Sequence, residues 1–175
     1  VTAVERLAAE TQSGAARSHS IVQSANANLA SITTIDLSGD TNAGSAGNIV
    51  LTGVTTGMTL SGVGAGSNTL TGGAGNDTIT GGSGADTITG AGGADVLIGG
   101  GGTNTFVFGT MAEFVTGNAI ADTSITGGAG TDTIQVNAAI TLVAGDTLAG
   151  VTAVERLAAE TQSGAARSHS IVQSA

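Results

Sequence analysis

Four consecutive nine-residue units between Gly72 and Phe108 constrain the fold of this chain more than any other feature. The units read GGAGNDTIT, GGSGADTIT, GAGGADVLI and GGGGTNTFV. They follow the pattern G-G-x-G-x-D-x-U-x, where U is a large apolar residue, with Asn104 replacing the aspartate in the fourth unit. One such unit in a glycine-rich chain would mean little, but four in register predict a parallel β-helix built from a repeated coil.

Each unit divides into a glycine loop and a minimal strand. Glycines allow positive φ without a Cβ clash, so the loop can turn tightly and its carbonyl oxygens can converge. The aspartate adds a hard anionic oxygen, and calcium takes about six to eight oxygen ligands of these kinds. The strands T-I-T at 78–80 and 87–89 should point their isoleucine inward, because side chains alternate across a strand. Two units make one coil, so loops eighteen residues apart stack on the same edge.

The segment resembles the RTX (repeats-in-toxin) family of secreted, calcium-loaded β-rolls. In that family each calcium lies between two stacked loops and is bound by their aspartate carboxylates and by backbone carbonyls. The resemblance implies several Ca²⁺ ions per 150-residue repeat, with Asp77 and Asp95 as one complete carboxylate pair. Asp86 lies on the opposite edge between Asn68 and Asn104, whose neutral oxygens imply weaker sites. The implied carbonyl donors are Gly72, Ala74, Ala91 and Gly93 on the first edge, and Gly81, Ser83, Gly100 and Gly102 on the second.

The eighteen-residue step also continues beyond the last unit. It leads from Asp95 to Glu113 and from Asn104 to Asp122, and Asp132 lies in a further unit, GGAGTDTIQ, that starts at residue 127. We interpret these segments as continued coils with one-residue insertions. Their carboxylates are either further metal ligands or solvated groups on a turn, and the second interpretation is favoured for Glu113 and Asp122.

Large apolar residues that recur every nine or ten positions predict one uninterrupted solenoid. Each should stack on its equivalent one coil away and contribute about 1.5–3 kcal/mol when buried. A repeat fold needs such a ladder because no single coil can bury its own apolar face. The predicted fold class is therefore all-β, a parallel β-solenoid, with further strands at 4–8, 20–23, 32–37 and 49–52. The ladder comprises Leu51, Leu60, Leu70, Ile79, Ile88, Leu97, Phe106, Val115, Ile125 and Ile134.

The two ends of the chain are identical, because residues 1–25 recur unchanged as residues 151–175. We interpret 1–150 as one full repeat and 151–175 as the start of the next, in a longer tandem array. The alternatives are an artificially duplicated end or an overlap in a traced polymer. Within the repeat, irregular coils at 1–62 precede the nonapeptides at 63–108, and irregular coils at 109–150 include the further nonapeptide at 127–135.

Composition excludes several classes of function. The net charge of −9 argues against nucleic acid, which demands basic patches. The chain has no cysteine for a disulfide framework, and its apolar runs are far shorter than a membrane span of about 20 residues. His19 and its copy His169 are the only histidines, and a neighbouring serine is no catalytic constellation without geometry. No enzymatic activity is predicted.

The resemblance and the tandem organisation together predict a structural function. We expect an extracellular repeat that folds and assembles with calcium into a surface filament, a surface layer or an adhesin stalk. The expected partners are further copies of itself, joined end to end or laterally, and cell-surface polysaccharide. Export by a bacterial type I route is implied by the resemblance. The alternatives are a calcium-dependent secretion and folding module of an exported protease or lipase, and a solenoid that binds ice or glycans.

Overall fold

Two parallel β-sheets wind together into a solenoid. The computed structural model describes residues 6–8, 14–23, 32–116, 119–138, 140, 147–159 and 167–170. Sheet A has seven strands and sheet B has eight. Up to Arg156–Ala159, the successive strands of these two sheets alternate between them in parallel, which is the connectivity of a two-sided coil, whereas Arg167–Ser170 returns antiparallel to Arg156–Ala159 in sheet B. The predicted parallel β-solenoid is confirmed.

The strands are short, as the nonapeptide period requires. Those predicted at 78–80 and 87–89 are present, and the four predicted before residue 53 are found with shifted bounds. The elements are β1 Arg6–Ala8, β2 Ser18–Val22, β3 Thr34–Asp36, β4 Ala46–Val50, β5 Thr59–Ser61, β6 Ser67–Gly73, β7 Thr78–Gly82, β8 Thr87–Ala91, β9 Val96–Gly100, β10 Thr105–Phe108, α1 Met111–Phe114, β11 Val115–Thr116, β12 Ala119–Ile120, β13 Ser124–Gly128, β14 Thr133–Val136, β15 Val151–Thr152, β16 Arg156–Ala159 and β17 Arg167–Ser170. The strand order is β1-β3-β5-β7-β9-β13-β15 in sheet A and β17-β16-β14-β10-β8-β6-β4-β2 in sheet B.

The apolar ladder lies between the two sheets. In sheet A, Ile79 pairs with Leu60 on one side and Leu97 on the other, and all three are fully buried. In sheet B, Ile88 pairs with Leu70 and Phe106 in the same way. Each of these side chains therefore stacks on its neighbours one coil away, about 4.8 Å apart, and the core is as long as the solenoid.

Two members of the predicted ladder lie elsewhere. Ile49 rather than Leu51 pairs with Leu70, and Leu51 is buried directly after the strand ends. Val115 does not continue the ladder, because it belongs to a small antiparallel hairpin, β11–β12. The step from Phe106 in sheet B leads instead to Ile125 in sheet A.

The hairpin and the short helix α1 form an insertion between β10 and β13. The helix is capped at Thr110, whose hydroxyl accepts the Glu113 N–H at 3.2 Å, while the Glu113 carboxylate accepts the Gly109 N–H at 2.7 Å. Phe114 is buried against Phe108, with ring centroids 5.2 Å apart. The sequence T-M-A-E at 110–113 is a capping box that signals this helix, although the period of nine obscures it.

The two copies of the duplicated segment pair differently. Leu7 pairs with Ile35 in sheet A, whereas its copy Leu157 pairs with Ile134 in sheet B. The second copy follows a turn at residues 149–150 that brings Val151 beside Ile125, and this places the next strand on the other sheet. The preceding residues, and not the segment alone, therefore decide which sheet it joins.

Candidate calcium-binding edges

A buried aspartate or asparagine ends each loop of the nonapeptide part of the solenoid, from Asn68 to Asp132. The loops that run from sheet B to sheet A form the first edge of the solenoid, and those that run from sheet A to sheet B form the second. Burying a carboxylate is costly unless hydrogen bonds or a cation compensate for the lost water. The side chains at these positions are between 0% and 5% exposed: Asp77, Asp95 and Asp122 on the first edge, and Asn68, Asp86, Asn104 and Asp132 on the second.

In all of these side chains except Asn68, Oδ1 accepts a backbone N–H from the coil before it. On the first edge, the N–H groups of Met58, Asp77 and Asp95 donate to Oδ1 of the next aspartate along the edge, at 2.7, 2.7 and 3.2 Å. On the second edge, the same bond runs from Asn68 to Asp86, from Asp86 to Asn104 and from Asn104 to Asp132, at 2.8, 3.0 and 2.7 Å. Glu155 continues this edge, since its Oε2 accepts the Asp132 N–H at 2.7 Å.

Among the described residues, the other carboxylate oxygen finds no hydrogen-bond partner in four of the five aspartates of the two edges. Oδ2 is buried without a partner in Asp86, Asp95, Asp122 and Asp132. Asp77 differs, because its Oδ2 accepts the Gly73 N–H at 2.8 Å. A buried carboxylate oxygen without a donor has lost its water and gained nothing in return, so each of the four is a position where a cation would be stabilised.

Glycines keep the space in front of these oxygens open. A Cβ added at Gly90 would lie 2.1 Å from Oδ2 of Asp95. One added at Gly81 would lie 2.2 Å from Oδ2 of Asp86 and 2.6 Å from the Gly99 carbonyl oxygen. A carboxylate oxygen and a carbonyl oxygen therefore face the same small space, which only glycine leaves open. Oxygen donors of this type are those that calcium prefers, so the residues fit the metal.

The electrostatics of the loops favour a cation as well. Burial raises the pKa of Asp86 to about 6, against hydrogen bonds from Asn68 that lower it. Burial also raises the pKa of Asp95 to about 6 and that of Asp122 to about 7, and on this edge the neighbouring carboxylates add to the increase. Both effects disfavour the ionised form of these aspartates in the folded chain without a cation. A bound divalent ion would offset this cost of ionisation.

The predicted carbonyl donors lie on the two edges as expected. Gly73 pairs with Ala91, so the loop that contains Gly72 and Ala74 stacks under the one that contains Ala91 and Gly93. Gly82 pairs with Gly100, which stacks the loop of Gly81 and Ser83 on that of Gly100 and Gly102. Positive φ occurs at Ala91, Gly93, Gly100 and Gly102. Their role as calcium ligands remains a prediction. Within the described part of the chain, no three acidic or histidine side chains converge on one point.

The prediction that the eighteen-residue spacing continues beyond Asp95 is wrong. Asp95 is followed on its edge by Asp122, 27 residues on, and Asn104 by Asp132, 28 residues on. The reason is the α1–hairpin insertion, which leaves the coil and returns to it without adding a layer. Glu113 lies on that insertion and bonds Gly109, whereas Asp122, for which a solvated turn was favoured, is buried in the first edge.

The histidine also has a partner that the sequence did not reveal. His19 Nε2 lies 2.9 Å from Oδ2 of Asp40, and the Asn42 N–H donates to Oδ1 of the same carboxylate at 3.0 Å. The hydrogen bond to His19 is the main cause that lowers the pKa of Asp40 to about 2. Ser18 and Ser20 flank His19 on the exposed face of the strand. The pair joins β2 to a turn, and the side chain of His169 lies outside the described residues.

The fold and the site together define a parallel β-solenoid with acidic glycine loops along both edges. A family profile described as the RTX calcium-binding nonapeptide repeat (4 copies) matches this chain at residues 63–97, 80–110 and 120–138. The matched segments therefore carry repeats of the RTX calcium-binding nonapeptide type, which indicate a calcium-binding repeat module in this part of the chain. No curated protein and no solved structure is significantly similar to it. In the described ranges, no helix is both long enough and apolar enough to cross a membrane.

Proposed function

We propose that the chain is an extracellular structural repeat that folds and assembles with calcium, as part of a surface filament, a surface layer or an adhesin stalk. The observation that carries the proposal is the row of buried carboxylates along each edge, each with Oδ1 bonded to the preceding coil. The same side chain thus belongs both to the stacking of the coils and to the space that calcium fits. Cation binding and coil formation are consequently coupled.

The geometry of a loop gives its glycine and the two carboxylate oxygens different functions. Gly90 leaves room in front of Asp95, Oδ1 of Asp95 fixes the coil below, and Oδ2 is held ready without a partner. When bound, calcium would neutralise the carboxylates that repel one another along the first edge. Asp95 and Asp122 would hold it there, and Asp86 and Asp132 on the second edge.

The junction with the duplicated segment supports the tandem, self-assembling form of the proposal. Val151 adds to sheet A beside Ile125, and Arg156–Ala159 adds to sheet B beside Thr133–Val136, both in parallel. Glu155 extends the second edge by one more carboxylate. Residues 151–159 of the second copy thus continue both sheets and one edge of the first, as a stalk or lattice requires, whereas its strand Arg167–Ser170 runs antiparallel to Arg156–Ala159. This continuity favours a structural role, without catalysis, over a module attached to a protease or lipase.

Circular dichroism and light scattering during a calcium titration test the proposal. The 175-residue chain is prepared in chelator and taken through micromolar to millimolar Ca²⁺, with Mg²⁺ as the control ion. We expect a cooperative gain of β signal, followed by larger assemblies. A full β signal in chelator would show that the apolar ladder folds the chain alone. A gain of β signal without any increase in scattering would contradict the assembly and favour the secretion and folding module.

A further inference from the structure

The two asparagines of the second edge present nitrogen, not oxygen, to their loops. Oδ1 of Asn68 accepts the Val63 N–H at 2.8 Å, and this donor fixes the orientation of the amide. Oδ1 of Asn104 is fixed in the same way by the Asp86 N–H at 3.0 Å. In both residues the amide oxygen is thereby engaged with the backbone, and Nδ2 points into the loop.

The amide nitrogen of Asn68 is surrounded by oxygens. It lies 3.1 Å from each of three carbonyl oxygens, those of Val63, Gly66 and Gly81, and 2.8 Å from Oδ1 of Asp86. Two N–H hydrogens are thus shared among four acceptors, an environment of converging oxygens that would otherwise suit a small cation. Asn104 repeats the arrangement more loosely, with Nδ2 at 3.2 Å from the Gly101 oxygen and 3.4 Å from that of Gly127.

The loop that ends in Asp86 lies between the loops of Asn68 and Asn104, and it brings two acceptors together instead of a donor and an acceptor. A Cβ at Gly62, Gly81 or Gly99 would in each case meet the terminal atom of the loop's last side chain and a carbonyl oxygen of the next coil. At Gly62 and Gly99 that terminal atom is an amide nitrogen, so donor faces acceptor. At Gly81 it is Oδ2 of Asp86, so two acceptors face each other and neither is satisfied by the other.

We propose that the amides of Asn68 and Asn104 take the place of a cation in their loops, so that calcium binding is confined to loops that end in aspartate. The inference rests on the proposed calcium-dependent folding and refines it. It reverses the expectation that these asparagines are calcium ligands of lower affinity. On the second edge, bound calcium alternates with an amide, whereas on the first edge successive loops each end in a carboxylate. Part of the solenoid is thereby held together without metal.

Reciprocal substitutions in the full chain test this, with Ca²⁺ alone as the probe. Asn68→Asp and Asn104→Asp should each add one bound ion, measured by equilibrium dialysis, and should weaken the β signal that remains in chelator. Asp86→Asn should remove one bound ion and strengthen that signal. The matched control is Asn137→Asp, because Asn137 is exposed and its oxygen accepts from Gln135, a bond that an aspartate keeps. This control should leave both quantities unchanged.

The outcomes separate this inference from the proposal on which it rests. An unchanged ion count in both Asn→Asp variants and in Asp86→Asn would overturn the inference while the wild-type chain still binds calcium. If Asn68→Asp folds neither with nor without calcium, the ion count of Asp86→Asn decides alone, and no change in it overturns the inference. If the wild-type chain binds no calcium, the proposed function fails. The β signals measured in chelator then test whether the asparagine amides stabilise their loops. Equal signals in Asn68→Asp and Asp86→Asn would overturn that role.

Discussion

The backbone N–H of Asp77 donates to Oδ1 of Asp95, eighteen residues further along the chain, at 2.7 Å. The bond joins two successive coils at the point where each changes from loop to strand. Because Asp95 is fully buried and its Oδ2 has no partner, one carboxylate both ties the coils together and faces the space that a cation would fill. Folding and metal binding therefore depend on the same side chain.

The Oδ1 bond can be isolated by comparing two substitutions of one residue. Asp95→Asn keeps an acceptor for the Asp77 N–H, whereas Asp95→Ala leaves that buried N–H without a partner. Leaving a buried donor unsatisfied costs about 1–3 kcal/mol. We expect Asp95→Ala to be the less stable variant by this amount in urea unfolding at saturating calcium. Since both variants lack the carboxylate, equal stabilities would show that the coil-to-coil bond contributes nothing.

Acid should stabilise the calcium-free chain. The pKa values of Asp86 and Asp95 are raised to about 6 and that of Asp122 to about 7, each mainly by burial. In the unfolded chain these groups titrate near 3.9. The folded state therefore binds more protons between about pH 4 and 7, and its stability falls as pH rises through that window. In chelator, the melting temperature and β signal should be higher at pH 5 than at pH 8.

Calcium should reverse the sign of this pH dependence. Binding requires ionised carboxylates, so protons and calcium compete for the same oxygens. At a fixed, subsaturating Ca²⁺ concentration, the melting temperature should be higher at pH 8 than at pH 5. Melting curves with the same slope against pH in chelator and in calcium would contradict a common set of groups.

The glycines that face the carboxylates should not tolerate a methyl group. In Gly81→Ala, the new Cβ would lie 2.2 Å from Oδ2 of Asp86 and 2.6 Å from the Gly99 carbonyl. The loop must shift to relieve the clash, at a cost of about 1–3 kcal/mol. The matched control is Gly14→Ala, where nothing lies within 4 Å of the added atom. Urea unfolding at saturating calcium should distinguish them, and equal stabilities would show that the loop is loosely packed.

Truncation of any fully buried residue of the apolar ladder should destabilise the solenoid. Leu97 is fully buried between Ile79 and Ile125, and the gap left by Leu97→Ala cannot be filled by a coil held in place on both sides. We expect a loss of about 2–5 kcal/mol in the free energy of unfolding. Val22→Ala provides the control, since Val22 is 64% exposed on its strand and its truncation should change stability by less than about 0.5 kcal/mol.

Regular sequence predicted regular structure. Ile79 and Ile88 are buried at the centres of the predicted strands, because a period of nine returns the chain to the same point of the other sheet. Asp77 and Asp95 lie on one edge and Asp86 on the other for the same reason. These positions follow from the nine-residue period alone, and the period predicts them correctly as long as no residue is inserted.

Two kinds of feature could not be obtained by counting. The partnership of Asp95 with Asp122 depends on an insertion that returns to the coil, and only the capping box at Thr110 hinted at it. The inward-facing amide of Asn68 depends on which neighbouring backbone group needs an acceptor, here the Val63 N–H. A residue code gives the atoms available for bonding, and the neighbouring coils decide how those atoms are oriented.

The helix–hairpin insertion has a consequence for the dimensions of any stalk built from this chain. Val96 pairs with Ser124 in the same register in which Thr78 pairs with Val96, although the intervening chain is much longer. Each turn advances by one strand spacing, about 4.8 Å, whatever its contour length. Extra sequence at this site widens the molecule and leaves its reach unaltered. A foreign peptide inserted between β10 and β13 would therefore be displayed at a fixed position along the solenoid axis, and the length of the solenoid would not change.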